Sequence, residues 1–596
     1  MKTKTTILFA WMLLLFSANP VSMTAQDDHS SRVVRGNNKG SEDNSNKKGN
    51  SGTHGTPGKP GGKPGGNPGA PPPPQMEGDY LQVHLHHAGD LKNHITPDIQ
   101  KRVRSLIITG TINQEDMRVI RRVCDRSSCV NSRGKSVKNY VDLDLSRAHF
   151  TSNYQMDRDL VGKEMFYSLD ALRSIRLPQE VREIGQRAFC NCSRLETVEM
   201  SLGVRLFGDE AFRNCPNLQH ITMPSVLEDI GNRCFYDCSS LWRINFPENL
   251  LTIGNEAFYG CKLTEVILPQ SLRSLGYNCF GNNKLTEFYI PRNTEIVDGN
   301  PGTNANLSAI YVERGNRFHA SKEGVLYSVD FSVLQLCPSG IVGSYTVPSS
   351  VRTIAPFAFS GSRLWQISLP ETLTTIGEGA FANCVSLNSM VIPQGVTHIY
   401  PQTFQGCARL SSITLSQNTT VIDNYAFDGC TVLNNINLPE SVTQLGVHTF
   451  RECRGLINLR LPQYIQVIPE GCFRNCANLQ SIGLPSNLCT IEKEAFRGCL
   501  ALTSIRLPMR LQKIGEEAFR SCTALQTVVI PASVIEIGSK PFSKCHALQS
   551  IECMGITPPT LKNSDNKDVI LYVPSTSVSA YKKSKGWKKF KKVIGK

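Results

Sequence analysis

The sequence lacks the features that define several large functional classes. Its longest apolar run, residues 7–16, has ten residues, and no later segment approaches the roughly 18 apolar residues of a membrane-spanning helix. It contains no glycine-rich phosphate loop, no HExxH metal sequence and no recognisable order of Ser, His and Asp. These absences argue against a membrane-spanning protein and against an enzyme, and they predict no cofactor.

The net charge of the chain is too small to indicate a particular class of partner. Lys and Arg number 64 and Asp and Glu number 50, which gives a formal net charge of +14 over 596 residues. With 40% hydrophobic and 19% charged residues, the chain is not predominantly disordered. Because the basic excess is small for this length, we expect no nucleic-acid partner.

The first 75 residues are predicted to serve export and spacing. Lys2 and Lys4 precede the apolar run, and small and polar residues follow it up to Ala25, which is the three-part pattern of a signal peptide over residues 1–25. Residues 26–75 are rich in Gly, Asn, Lys and Pro, which indicates a linker. A collagen helix is excluded because the glycine period slips. We expect a protein that is secreted or held at the cell surface, with an anchor that the sequence does not identify.

One pattern recurs with a fixed period over most of the remaining chain. Fourteen phenylalanines are spaced 23 residues apart, or 22 in two places, on either side of an interruption over residues 291–358. They are Phe189, Phe212, Phe235, Phe258, Phe280, Phe359, Phe381, Phe404, Phe427, Phe450, Phe473, Phe496, Phe519 and Phe542. This period, with a Leu-x-x-Ile-x-Leu segment in each copy, predicts a β-rich leucine-rich-repeat solenoid of about 14 coils.

The residues of one coil indicate how it folds. Ile482 and Leu484 alternate with small or polar residues, as in a short half-buried strand, and Pro485 ends that strand because proline cannot donate a ladder hydrogen bond. Ile491 lies in a second short extended segment, and Phe496 then turns inward. The repeat phenylalanines are therefore predicted to form the structural core, buried between neighbouring coils.

Twelve of the 21 cysteines stand three residues after a repeat phenylalanine. They are Cys192, Cys215, Cys238, Cys261, Cys384, Cys407, Cys430, Cys453, Cys476, Cys499, Cys522 and Cys545. Stacked coils would bring such a column close enough for disulfides, but Cys234, Cys279 and Cys472 stand where other coils have Ala. This exchange favours buried free thiols over a disulfide or metal ladder. Cys124 and Cys129, outside the repeats, are the better disulfide candidates.

The repeat unit resembles that of a known family. Ile-Gly-x-x-Ala-Phe-x-x-Cys at residues 514–522 has the order and spacing of the BspA-like leucine-rich repeats of bacterial surface and secreted proteins. The resemblance covers residues 172–553, and it implies an extra irregular hairpin in the insert over residues 291–358. Asn283 and Ser362 replace the column cysteine beside this insert, which suggests a local distortion of the stack.

The flanking regions are predicted to be small α/β caps on the two ends of the stack. We place an N-terminal cap at residues 76–170, the solenoid at 171–553 and a C-terminal cap with a basic tail at 554–596. Within the first cap, Asn113 is a predicted N-cap for a helix over residues 114–124. Each cap covers an apolar layer that would otherwise face water.

Two features of the caps admit a chemical interpretation. His84 and His86 alternate onto one strand face, but no further metal ligand is evident, so a solvated cap strand is favoured over a metal site. The tail over residues 582–596 has eight Lys together with Trp587 and Phe590. A solvated cap in which the two aromatic rings pack inward is favoured over a site for an anionic partner.

The outward positions of the leading strands are the candidate ligand-binding positions. They are mostly small polar residues, together with two tryptophans at the same repeat position that either contact a ligand or pack on a neighbouring coil. The candidates are Trp242, Asn245, Tyr289, Trp365, Gln366, Asn435 and Asn437.

Two functions are compatible with this face. The resemblance implies a non-enzymatic, adhesin-like scaffold whose partner is a protein or glycan ligand at a cell surface or in the extracellular matrix. The alternative is a cell-envelope carbohydrate-binding protein in which Trp242, Tyr289 and Trp365 serve as stacking platforms.

Overall fold

The computed structural model describes residues 76–125, 129–130, 136–137, 140–151, 159–297 and 304–596, with the backbone alone for the two dipeptides. The predicted signal peptide and linker lie outside the described residues, as does the side chain of Cys129. Cys124 is buried at the end of a helix, and its disulfide with Cys129 stays a prediction.

Two series of short parallel strands run the length of the described chain. Each coil contributes a leading strand, such as Ser504–Arg506, and a second strand, such as Lys513–Ile514. Most strands pair in register with the equivalent strand of the next coil, as Ile505 does with Val528 and Ile514 does with Ile537. The predicted β-rich leucine-rich-repeat solenoid is confirmed.

The leading series begins in the N-terminal flank and ends at the C-terminus. Its strands are Tyr80–Leu85, Ser105–Ile112, Val141–Phe150, Leu172–Arg176, Thr197–Glu199, His220–Ile221, Glu287–Ile290, Ala309–Val312, Val342–Thr346, Arg363–Ser368, Ser389–Val391, Ser412–Thr414, Asn435–Asn437, Asn458–Arg460, Ser481–Gly483, Ser504–Arg506, Thr527–Ile530, Ser550–Cys553, Ile570–Val573 and Lys592–Gly595. Its pairing is interrupted after His220–Ile221, Ala309–Val312, Asn435–Asn437 and Ser481–Gly483, which divides the series into five sheets within the described residues.

The second series is more regular. Its strands are Leu160–Val161, Glu183–Ile184, Leu206–Phe207, Asp229–Ile230, Thr252–Ile253, Ser274–Leu275, Ile296–Val297, Val333–Leu336, Thr353–Ile354, Thr375–Ile376, His398–Ile399, Val421–Ile422, Gln444–Leu445, Val467–Ile468, Thr490–Ile491, Lys513–Ile514, Glu536–Ser539 and Thr560–Asn563. The described stack is therefore longer than the 14 coils predicted, because both flanks and the insert add strands to it.

The repeat phenylalanines form one stacked column inside the solenoid. Phe427, Phe450 and Phe473 are each 0% exposed, and adjacent ring centroids are 5.5 Å apart with nearly parallel planes. The column breaks only at the insert within the described residues, between Phe280 and Phe359. Away from the insert and the end of the column, each ring is therefore covered on both faces by the rings of the coils above and below.

The insert builds a hairpin inside the stack. Strands His319–Lys322 and Val325–Ser328 pair antiparallel, and Val325–Ser328 pairs antiparallel with Val333–Leu336. Val333–Leu336 then pairs in parallel with Thr353–Ile354, which returns the chain to the second series. We call residues 319–336 the dividing hairpin.

The dividing hairpin separates the hydrophobic core into two clusters. Val325 and Tyr327 pack with the coils that follow, whereas Leu326 and Leu336 pack with the coils that precede. All four side chains are at most 1% exposed. Because successive side chains of a strand point to opposite faces, a single layer serves both cores.

The N-terminal flank alternates strands and helices. Helices Leu91–His94 and Pro97–Arg102 connect the first two leading strands, and Gln114–Cys124 follows the second. The helix predicted over residues 114–124 is present, and Asn113 caps it: its side chain accepts hydrogen bonds from the backbone N–H groups of Glu115 and Asp116. A short antiparallel pair, Cys129–Val130 with Ser136–Val137, follows this helix.

The C-terminal flank closes the last coil with aromatic side chains. It contains the 3-10 turns Ser575–Ser577 and Trp587–Lys589 on either side of helix Val578–Lys583. The Tyr581 hydroxyl donates to the carbonyl of Gly555 at 2.9 Å, and the Trp587 indole N–H donates to the carbonyl of Pro559 at 2.8 Å. Both rings are buried, as the sequence predicted for Tyr581 and Trp587.

Candidate ligand-binding face

The leading face consists of the side chains that point outward from the leading strands and from the equivalent residues 242–245 and 264–267. Alternation along each strand decides which side chains these are. In Asn435–Asn437 the two asparagines are exposed, and Ile436 between them is buried. Because each coil repeats this pattern in register, the face is a regular array of side chains on a hydrogen-bonded backbone.

Trp242 and Trp365 both lie on the leading face, and each is 49% exposed. The Trp242 ring meets the His220 ring of the preceding coil edge-on, with ring centroids 6.3 Å apart. About half of each indole thus packs on the solenoid while half remains accessible to a partner. The structure accommodates both interpretations of these tryptophans at once.

One depression on the leading face has a volume of about 760 Å³. Its wall comes from three consecutive coils, through residues 264–270, 286–291 and 311–313. The Tyr289 and Tyr311 rings stack across two of these coils with centroids 4.9 Å apart. We call this site the tyrosine depression.

Two smaller depressions lie on the same face. One of about 410 Å³ surrounds Trp242 and includes His220 and Asn245. The other, of about 330 Å³, lies between the strands that carry Asn437 and Arg460. All three depressions therefore open onto the leading face.

The structure distributes the seven predicted ligand-binding residues over this surface. It places Trp242 with Asn245 in one depression, Tyr289 in the largest and Asn437 in the third. The other three predicted residues, Trp365, Gln366 and Asn435, are exposed but line none of the three depressions.

Sequence reasoning missed three residues of the tyrosine depression. Ile267 and Tyr311 occupy the same repeat position as Tyr289, and they are 73% and 39% exposed. Glu265 lies two residues before Ile267 on the same outward side. If the coils had been aligned on one another, this repeat position would have shown an apolar residue in three consecutive coils.

The cysteine column forms a ladder of hydrogen bonds. Each of the twelve thiols donates to the backbone carbonyl of the phenylalanine in the preceding coil; Cys453 Sγ, for example, lies 3.1 Å from the carbonyl oxygen of Phe427. The other eleven are Cys192, Cys215, Cys238, Cys261, Cys384, Cys407, Cys430, Cys476, Cys499, Cys522 and Cys545. The thiols are buried, and each gives its phenylalanine carbonyl a thiol donor; the Phe427 carbonyl, for example, also accepts from the backbone N–H of Cys430 at 3.1 Å.

Asparagine replaces the thiol where the regular column ends. Asn283 donates to the carbonyls of Phe258 and Phe280 at 2.8 and 2.9 Å, and Asn304 donates to Phe280 at 3.0 Å. The sequence suggested a distortion at Asn283, but the amide makes the same contact with a stronger donor. The second-series pairing continues past this coil, from Ser274–Leu275 to Ile296–Val297.

Burial of the column predicts slow thiol chemistry. Desolvation raises the pKa of Cys192, Cys238 and Cys545 from 9.0 to about 12. The reactive thiolate is therefore scarce at neutral pH, in addition to being inaccessible.

We expect the native protein at pH 8 to react with a maleimide at the half-buried Cys489 far faster than at the column, and all thiols to react in denaturant. Because folding raises these pKa values, the stability they contribute is present below pH 9 and falls as the pH rises toward 12. Mass-mapped labelling and unfolding curves at pH 8 and 10.5 measure both effects. Rapid native labelling of most column thiols would contradict the assignment.

The described residues show neither a metal site nor a membrane span. They contain no group of three or more His, Cys, Asp or Glu side chains placed to hold a metal ion. His84, one of the pair considered from the sequence, has its Nδ1 2.8 Å from the Thr109 hydroxyl. No helix in this part of the chain is long and apolar enough to cross a membrane.

Two parallel strand series, a fixed repeat and a stacked phenylalanine column define a leucine-rich-repeat solenoid. The model of the BspA type leucine-rich repeat region, in six copies, matches residues 159–287, 207–316, 339–457 and 448–558. These matches cover more than half of the 596 residues. The chain belongs to the BspA-type leucine-rich-repeat family.

Solved structures with similar folds come from several bacteria. A leucine-rich cell surface protein of Faecalibacterium prausnitzii is 24% identical over 60% of this chain and 92% of its own, with a TM-score of 0.46. A leucine-rich repeat protein of Eubacterium ventriosum is 23% identical over 59% and 83%, with a TM-score of 0.43. The pneumococcal vaccine antigen PcpA is 16% identical over 88% and 95%, with a TM-score of 0.36. None of the curated proteins matches the chain.

Proposed function

We propose that this protein is a secreted or surface-displayed, non-enzymatic binding scaffold that recognises a macromolecule through its leading face. The observation that carries the proposal is the placement of all three depressions on that face. The predicted signal peptide over residues 1–25 supports export. Membership of the BspA-type family supports a role in binding, since such solenoids present extended surfaces.

The physical form of the face suits a large ligand. Twenty leading strands at a spacing of about 4.8 Å give a surface on the order of 90 Å long. The backbone hydrogen bonds between coils hold the strands in place, so little backbone conformational entropy is lost when a partner binds. Contacts spread over many coils also mean that no single residue should be essential.

A carbohydrate ligand remains the second candidate, and the depression around Trp242 favours it. There a half-exposed indole lies beside the polar side chains of His220, Thr222 and Asn245. A sugar ring can stack on the indole while its hydroxyl groups bond to such neighbours.

Trp242→Ala and Trp365→Ala should each weaken binding by about 1–3 kcal/mol if the indole contacts the ligand. The assay is binding of the chain without residues 1–25 to a panel of purified extracellular-matrix proteins, in parallel with a glycan array. Tyr464→Ala is the matched control, because Tyr464 is 62% exposed but lies outside the leading strands.

The outcomes of this assay separate the two candidates. Loss of matrix-protein binding in the tryptophan variants alone supports the scaffold, and selective loss of a glycan signal supports the carbohydrate alternative. If both tryptophan variants bind as well as the wild type and Tyr464→Ala does not bind, the binding site does not lie on the leading face.

A further inference from the structure

The tyrosine depression has an apolar floor that no other part of the described chain covers. Ile267, Tyr289 and Tyr311 hold the same repeat position in three consecutive coils, and they are 73%, 55% and 39% exposed. Glu287–Ile290 pairs in register with Ala309–Val312, which fixes Tyr289 beside Tyr311. An exposed apolar surface of this kind on a strand face is characteristic of an interaction site.

Three carboxylates surround this floor. Glu265, Glu287 and Glu313 all line the depression, and all are exposed. Neutral groups position two of them: the Tyr289 hydroxyl donates to Glu287 at 3.0 Å, and the Gln270 amide donates to Glu313 at 2.7 Å. The bond to Glu287 also raises the pKa of Tyr289.

These carboxylates differ from the others on the leading strands. Within the leading strands that the structure describes, every carboxylate other than that of Glu287 pairs with a basic side chain. The pairs are Asp142 with Arg173, Asp144 with Arg176, Glu199 with Arg176, and Glu552 with Lys596. Among the described residues, Glu265, Glu287 and Glu313 form no ion pair, and no Lys or Arg lines their depression.

We propose that the tyrosine depression binds a cationic, extended peptide segment of a partner protein through Arg or Lys side chains that lie on the Tyr289–Tyr311 pair. This inference rests on the proposed function and names the chemistry of its ligand. The guanidinium group stacks on a tyrosine ring and donates to the surrounding carboxylates, while aliphatic stems cover Ile267.

Charge complementarity selects this ligand over a neutral one. The whole chain has a net charge of +14, yet this depression gathers three negative groups and no positive group. A neutral sugar would stack on the rings but leave the three charges uncompensated, whereas a cationic segment neutralises them. The open strand face admits a chain that runs across several coils, which a closed cavity would not.

The test is binding of fluorescein-labelled hexa-arginine to the chain without residues 1–25, followed by fluorescence anisotropy at 50 mM and 500 mM NaCl. We expect binding at low salt that weakens at high salt. Glu265→Gln and Glu287→Gln should each lower the affinity about three- to tenfold, and Tyr289→Ala should lower it by a similar factor. Tyr289→Phe should retain most of the affinity because it keeps the ring.

Glu199→Gln is the matched control, since Glu199 is exposed on the same face but already pairs with Arg176. It should leave hexa-arginine binding unchanged. Unfolding curves of all variants should coincide, because the altered side chains are exposed. Neutral maltohexaose is the competing probe.

Two results would overturn the proposal. In the first, Glu265→Gln and Glu287→Gln bind hexa-arginine with the same affinity as the unaltered protein. In the second, the protein binds maltohexaose and not hexa-arginine, and Tyr289→Ala abolishes that binding. If hexa-arginine does not bind but Trp242→Ala still weakens binding to a matrix protein, the inference about the tyrosine depression is wrong and the proposed function is still supported. If the protein binds neither hexa-arginine nor any matrix protein or glycan, the inference and the proposed function are both wrong.

Discussion

Phe450→Ala is expected to lower the free energy of unfolding by about 3–5 kcal/mol. The ring is 0% exposed and stacks between Phe427 and Phe473, each 5.5 Å away. Its removal loses the transfer energy of the side chain and leaves a cavity that two rigid coils cannot close. Chemical denaturation followed by circular dichroism measures the effect.

Ser504→Ala is the control for this variant. Ser504 is exposed on a leading strand, so its truncation should change stability by no more than about 0.5 kcal/mol. Equal denaturation midpoints for the two variants would show that the phenylalanine column does not set the stability of the solenoid.

Asp116→Ala should destabilise the N-terminal flank by at least about 3 kcal/mol. The Asp116 side chain is 0% exposed, and its carboxylate accepts hydrogen bonds from the backbone N–H groups of Gly89, Leu91 and Asn113 at 2.7–3.0 Å. Alanine would leave three N–H groups without their acceptor and would remove half of the capping box of helix Gln114–Cys124. Hydrogen exchange followed by mass spectrometry would locate the loss.

The neighbouring residue supplies the control. Glu115 pairs with Lys92, but both side chains are more than half exposed, at 54% and 58%. Glu115→Ala should therefore change stability far less than Asp116→Ala does. Comparable exchange rates in the two variants would contradict the role assigned to the buried carboxylate.

The repeat itself could be predicted because a solenoid translates sequence period directly into structure. Each coil contacts only its neighbours, so the spacing of Phe427, Phe450 and Phe473 is also the spacing of their rings along the stack. A local sequence signal also predicted a helix in the N-terminal flank. Asparagine is a favoured N-cap residue, and Asn113 caps the helix as predicted.

The tyrosine depression could be predicted only in part. Tyr289 was identified as an isolated exposed aromatic, but the site depends on its stacking with Tyr311 and on unpaired charge at Glu265. Those properties belong to the register between coils and to the absence of a basic neighbour among the described residues. Neither is visible in a single repeat.

The cysteine column shows a similar limit. The exchange with Ala at Cys234 and Cys472 correctly predicted burial, but it gave no sign that the column thiols donate to phenylalanine carbonyls. Asn283 carried the missing signal, because an amide at a position that a buried thiol occupies in other coils implies a hydrogen-bonded partner.

The dividing hairpin also has a consequence for how the chain folds as it is synthesised. Leu326 and Leu336 complete the first core, so the coils synthesised before residue 337 can close their packing without waiting for the rest. The opposite side of the same layer, with Val325 and Tyr327, then offers a finished template on which the next coil adds. The solenoid can therefore assemble in two successive stages, from the N-terminus toward the C-terminus.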